Sequence, residues 1–66
     1  MPVFVVNSQA QSNGDHEVHK EGCPYFPQFY KSLGWHGNCN TAMAKAKRTF
    51  KQSNGCKYCS PACYTS

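Results

Sequence analysis

Apolar positions along the chain fall into short groups, and only the first is continuous. Val3-Phe4-Val5-Val6 follows Pro2 and ends at Asn7, a β-branched and aromatic run that predicts a strand over 2–7. From Ser8 to Asp15 the single apolar residue is Ala10, and Asn13-Gly14-Asp15 is a turn signal, so this stretch reads as a loop. Over 15–20, Val18 alternates with His16, Glu17 and His19, which predicts a second strand, antiparallel to the first. Glu21-Gly22-Cys23-Pro24 turns the chain. The aromatic-rich segment 24–35 holds two prolines and no clean period, and is expected to be irregular.

The helical period appears once. Ala42, Ala46 and Phe50 recur at intervals of four, and Met43 widens the stripe, which predicts a helix over 38–50 capped by Asn38 or Asn40. Lys45, Lys47, Arg48 and Lys51 fall off the stripe, three of them near the C-terminal end of the helix dipole. Ser53-Asn54-Gly55 is a stop signal. Cys56-Lys57-Tyr58-Cys59 and Ser60-Pro61-Ala62-Cys63 complete the chain's ordered pattern, with no internal repeat.

Composition changes this picture by showing how little holds it together. The 66 residues contain one Leu and no Ile, and the long aliphatics are Val3, Val5, Val6, Val18 and Leu33. Ordering a chain opposes folding by about 1.5 kcal/mol per residue, and a core this small leaves at most about 3–5 kcal/mol net. A staple is therefore expected, and five cysteines and three histidines offer either disulfides or a metal.

His19-x3-Cys23 and Cys56-x2-Cys59 are two short-spaced ligand pairs far apart in the chain, each able to come from one tight turn. That is the arrangement of a structural zinc site, one ion per chain. Its binding energy would become folding energy, roughly 10–16 kcal/mol in peptides. Gly55, just before the second pair, is expected to relax the backbone there. The competing readings are a disulfide framework with one spare thiol, Cys63 in place of His19, or His16 in place of His19. On a strand His16 and His19 face opposite sides, so both cannot ligate. Cys39 reads as a buried small hydrophobe; a Cys39–Cys63 disulfide is the alternative.

His16-Glu17-Val18-His19 is not a zincin motif, which needs histidines four apart on a helix. A filled four-ligand set leaves no position for a catalytic water, and no paired carboxylates or Ser-His-Asp set is present. A non-enzymatic protein is expected. The longest apolar run, Val3–Val6, is far below the roughly 20 residues of a membrane span. No leader pattern precedes it, and the odd cysteine count argues against a secreted disulfide scaffold, so a cytoplasmic monomer is expected.

Net charge is +4 and segregated. Asp15, Glu17 and Glu21 are the only acids, while Lys31, Lys45, Lys47, Arg48, Lys51 and Lys57 follow with no acid after them. That is a candidate anion-facing surface, to be set against a merely solvated helix face.

The order His19-x3-Cys23, a helix carrying Ala42 and Ala46, then Gly55-Cys56-Lys57-Tyr58-Cys59 resembles the metal-binding domain of the bacterial Ada DNA-repair protein and related small bacterial domains, over roughly His16 to Cys63. The resemblance implies a small α+β zinc domain, a β-hairpin or small antiparallel sheet packed on one helix: one domain over 1–66, with a strand and polar loop in 1–15 and the zinc module in 16–63. It implies ligation by His19, Cys23, Cys56 and Cys59, and DNA contact through Lys45, Lys47, Arg48, Lys51 and Lys57. In that family the first cysteine of the first pair accepts a methyl group from a DNA phosphotriester. His19 stands at that position here and an imidazole is not that acceptor, so self-methylating repair is not expected. Two partner classes follow: nucleic acid held by the basic helix, or a protein held by aromatic anchors such as Tyr25, Tyr30 and Trp35, most of which read more simply as core or zinc-shell packing.

Overall fold

The computed structural model, which describes residues 2–65, places Val3–Asn7 in the middle of a sheet. The elements are β1 (Val3–Asn7), β2 (His16–Lys20), β3 (Tyr30–Trp35), α1 (Cys39–Thr49) and β4 (Ser53–Gly55), followed by a short 3-10 turn at Pro61–Cys63. The strand order is β3-β1-β2-β4. β1 and β2 pair antiparallel as expected, with Val5 opposite His19 and Val6 opposite Val18. β3 pairs antiparallel on β1's other edge, and β4 pairs parallel with β2. The α+β class holds, but the sheet is mixed rather than wholly antiparallel. β3 and β4 run in the same direction, and α1 carries the chain from one edge of the sheet to the other.

Two segments differ from their sequence reading. The irregular stretch ends at Phe29, and Tyr30–Trp35 is a strand although Tyr-Lys-Ser-Leu-Gly-Trp shows no alternation. A register shift opposite Phe4 and Val5, and Gly34 at φ +84°, break the period that a regular strand would show. Ser53-Asn54-Gly55 does end the helical region, yet it is also β4. Its turn-forming composition is overridden by pairing with β2 and by Asn54, whose amide donates to the Thr65 carbonyl (2.6 Å) and whose Oδ1 accepts from the Thr65 N–H (3.0 Å).

Alternation divides the sheet into two faces. On one, Phe4, Val6, Val18 and Leu33 pack against Cys39, Ala42 and Ala46 of α1, with Met43, Phe50 and Cys63 at the margin. The small alanines let the helix lie close to the strands. On the other face Val5 and its partner His19 are 2% and 1% exposed without belonging to that core. α1 begins at Asn38, whose side chain accepts from the Asn40 and Thr41 N–H groups (3.0 and 3.4 Å). His36 ties the end of β3 to it, with Nε2 donating to the Leu33 carbonyl and Nδ1 accepting from the Thr41 hydroxyl, both at 2.8 Å.

Candidate metal centre

His19 is on β2, two residues before the strand turns at Glu21-Gly22, and its imidazole faces away from the helix. Cys23 follows that turn, where its N–H donates to the Lys20 carbonyl (3.2 Å). Cys56 continues β4, with its N–H on the Val18 carbonyl (2.9 Å), and Ser60 N–H closes the turn back onto the Cys56 carbonyl (2.9 Å). Parallel pairing of β2 with β4 thus delivers both ligand pairs to one place. His19, Cys23 and Cys56 are buried, Cys59 is half-buried, and one donor atom from each lies within 4.8 Å of all the others.

The donor geometry fits a tetrahedral ion. Zn–S and Zn–N bonds of about 2.3 and 2.05 Å at tetrahedral angles require about 3.8 Å between sulfurs and about 3.6 Å from sulfur to nitrogen. Cys23 Sγ lies 3.8 Å from Cys56 Sγ, and His19 Nδ1 lies 3.6 Å from Cys23 Sγ and 3.8 Å from Cys59 Sγ. The spacing of the donors therefore matches a metal held through Nδ1 of His19 and three thiolates. When bound, a zinc ion would supply a cross-link between the two halves of the chain.

Surrounding groups suit that role. His19 Nε2 approaches Glu17 Oε1 at 3.4 Å, the carboxylate–histidine relay that orients metal-bound imidazoles. The Lys20 N–H donates to Cys59 Sγ at 3.3 Å, a contact that favours a thiolate. Burial pushes the His19 imidazole below its ordinary value, with Glu17 opposing, and so favours the neutral, ligating form. Burial pushes the Cys59 thiol up, against the Lys20 N–H, so a cation is what would draw its proton off. Glu17 is a participant that the spacing did not reveal; its place two residues before His19 on a strand, hence on the same face, is the signal for it.

The rival ligands are engaged elsewhere. His16 lies on the helix side, stacked on Phe50 with ring centroids 3.9 Å apart, and Nδ1 donates to the Asn7 carbonyl. Cys63 is joined to Cys39 in a disulfide. This corrects the reading of Cys39 as a simple buried hydrophobe. The two cysteines are 24 positions apart, a separation with no local signature, and the contact of the 3-10 turn with α1 brings them together. Gly55 also serves a different purpose from the one expected. Its φ is not positive; a Cβ there would come within 2.8 Å of Cys63 backbone and side-chain atoms and of the Ser60 carbonyl, so the residue is small because the disulfide-bearing turn presses on it.

Lys45, Lys47, Arg48, Lys51 and Lys57 are all exposed. Lys47 and Arg48 occupy the last turn of α1. Lys57 sits between Cys56 and Cys59, and residues Cys59 to Ala62 border the opposite, N-terminal end of the helix across a cavity of about 370 Å³ that Asn38 and Cys39 also line. The five cations are therefore not one patch. Among the described residues no Lys or Arg forms an ion pair, and His19–Glu17 is the sole acid–base contact. No helix among the described residues is long and apolar enough to cross a membrane. The odd cysteine count loses its meaning as a sign of a reducing compartment, since two cysteines form a disulfide and three are candidate ligands. No family model matches the chain, and neither a curated protein nor a solved structure matches it.

Proposed function

We propose that this chain is a non-enzymatic binding module, stapled by one zinc ion on His19, Cys23, Cys56 and Cys59, that associates with nucleic acid through its lysines and Arg48. The zinc supplies structure: a set of four protein donors leaves no open position for a reacting water. The resemblance to the Ada metal-binding domain agrees with this but rests on ligand spacing alone.

The observation that carries the binding half is the disposition of charge. Two of the three acids are already engaged, Glu17 with His19 and Asp15 with the Gln52 and Asn54 amides (2.9 and 3.4 Å). The cations are left facing solvent without partners among the described residues. A chain of +4 net charge presenting its cations this way is suited to phosphates, whose neutralisation releases counterions.

The test has two parts. Native mass spectrometry of the isolated chain should give one zinc with one disulfide, and a chelator should remove only the metal; a metal-free mass with no zinc uptake would sink the staple. Binding to labelled oligonucleotides should weaken steeply with salt. Replacing Lys47 and Arg48 together with Ala should reduce the slope of log K against log[salt] by about 0.7–0.9 for each phosphate that is no longer neutralised. An unchanged slope would remove the basic helix from the interface.

A further inference from the structure

Seven aromatic side chains stand at the surface of a chain that has four Tyr, four Phe and one Trp. Trp35 is 64% exposed, Tyr58 62%, Tyr25 56% and Tyr30 49%. The expectation that most would be core or zinc-shell packing fails, and the buried core contains a single aromatic, Phe4. A chain with so little to bury forgoes its largest apolar groups, so their exposure needs a reason other than folding.

Register places two of them on one side, and three more adjoin them or the ligand turns. Tyr30 pairs with Asn7 and Trp35 with Val3, which places both on the face of Val5 and His19, away from the helix. Phe26 packs edge-on against Tyr30 at 5.0 Å. Tyr25 follows Cys23 by two residues, Tyr58 lies between Cys56 and Cys59, and their rings meet at 4.5 Å. The two ligand turns thus carry two of the rings, and the edge strand β3 carries two more, roughly 15 Å apart at about 3.3 Å per residue. Of the exposed lysines, Lys57 precedes Tyr58 in the ligand turn, whereas Lys31, opposite Val6, belongs to the helix side.

We propose that this metal-side face is a stacking platform for single-stranded nucleic acid, with Tyr30, Trp35 and the Tyr25–Tyr58 pair taking bases and Lys57 taking a phosphate. The inference rests on the nucleic-acid reading above and adds the strand state and the surface. A duplex hides the π faces of its bases and leaves exposed rings without a purpose, whereas a single strand offers one to each ring. The net charge of +4 favours a polyanion over a protein surface of mixed charge. On this reading the metal's contribution to binding is to hold Tyr25 against Tyr58.

The zinc-loaded chain is titrated with labelled oligothymidylate of about a dozen nucleotides, and with a duplex of equal length, at matched salt. The single strand should bind at least about ten-fold more tightly and should quench Trp35 fluorescence in the unmodified chain, a readout that needs no substitution. Tyr30→Ala and Trp35→Ala should each weaken binding about five- to a hundred-fold, the span of base–ring stacking, with the salt slope and zinc content unchanged. Trp35→Phe should retain most of the affinity. Equal affinity of the ring variants and the parent overturns the platform while leaving the nucleic-acid reading intact. Absence of binding to either strand state at any salt overturns both. A protein partner that survives nuclease and is lost on Trp35→Ala, while oligothymidylate binding is unaffected, overturns the platform in favour of a protein interface.

Discussion

On the helix side of the sheet, Phe4, Val6, Val18 and Leu33 meet Ala42 and Ala46, with the Cys39–Cys63 disulfide at the margin of the core; on the other side Val5 shares its face with a cluster of one imidazole and three thiols. The first arrangement holds itself. Its contacts are apolar, additive and already made. The second has weak S–H contacts among its own donors, which repel if ionised together, and it would become a staple if a cation satisfied all four at once. The same sheet is thus stabilised in small increments on one face and, with a metal bound, would be stabilised in a single step on the other.

Removing the metal is the largest perturbation expected. Chelation, or Cys56→Ser, should lower the denaturant midpoint followed by far-UV circular dichroism more than any other change, because metal binding at such sites is worth roughly 10–16 kcal/mol of folding energy. An unfolding transition that is unmoved by chelator would show that the helix-side core is sufficient. The disulfide comes next. Cys39→Ser with Cys63→Ser should lower stability by about 3.5 kcal/mol, the chain-entropy value for a loop of this size, and leave zinc stoichiometry at one. Loss of zinc in that variant would show that the faces are not independent. Glu17→Gln should keep the fold while weakening zinc about 10- to 100-fold, read by competition with a chromophoric chelator; unchanged affinity would remove Glu17 from the centre.

The smallest effect is in pH. In the metal-free chain His19 titrates below its ordinary 6.5, so the stability tied to its neutral form is present above 6.5 and lost as pH falls through the depressed value. Cys59 titrates above 9.0, so the stability tied to its neutral thiol is present below 9.0 and lost as pH rises through the raised value. Denaturant midpoints of the metal-free chain should therefore decline on both sides of that window. The loaded chain should decline on the acid side alone, since its ligands are already deprotonated.

Much of this was legible in the residues. Asn38, Ala42 and Ala46 specify a capped helix with a narrow buried stripe, and the structure has it over Cys39–Thr49. The two ligand pairs marked the favoured donors, because turn spacing is a local property, while the rivals Cys63 and His16 were set aside only by the disulfide and by the stacking on Phe50. What was not legible is non-local. β3 exists because β1 has an open edge, not because Tyr-Lys-Ser-Leu-Gly-Trp alternates. β4 is composed like a turn and is held as a strand by β2 and the Asn54 side chain. The disulfide depends on where the 3-10 turn docks. The exposure of Tyr25, Tyr30 and Trp35 runs against hydrophobicity, the rule from which their burial was expected.

The pairing of β2 with β4 has a consequence for how folding avoids error. Most strands encode their alignment in an alternation of apolar side chains, so that a slip of one residue turns the wrong face inward. Ser53-Asn54-Gly55 carries no such code. A one-residue slip against β2 would shift Cys56 by about 3.3 Å relative to His19, whereas coordination tolerates about 0.2 Å. With a metal bound, the four donor atoms would act as a checksum on strand alignment: only the pairing of Val18 with Gly55 would let it bind, and a misaligned chain would be left without the energy that makes it persist.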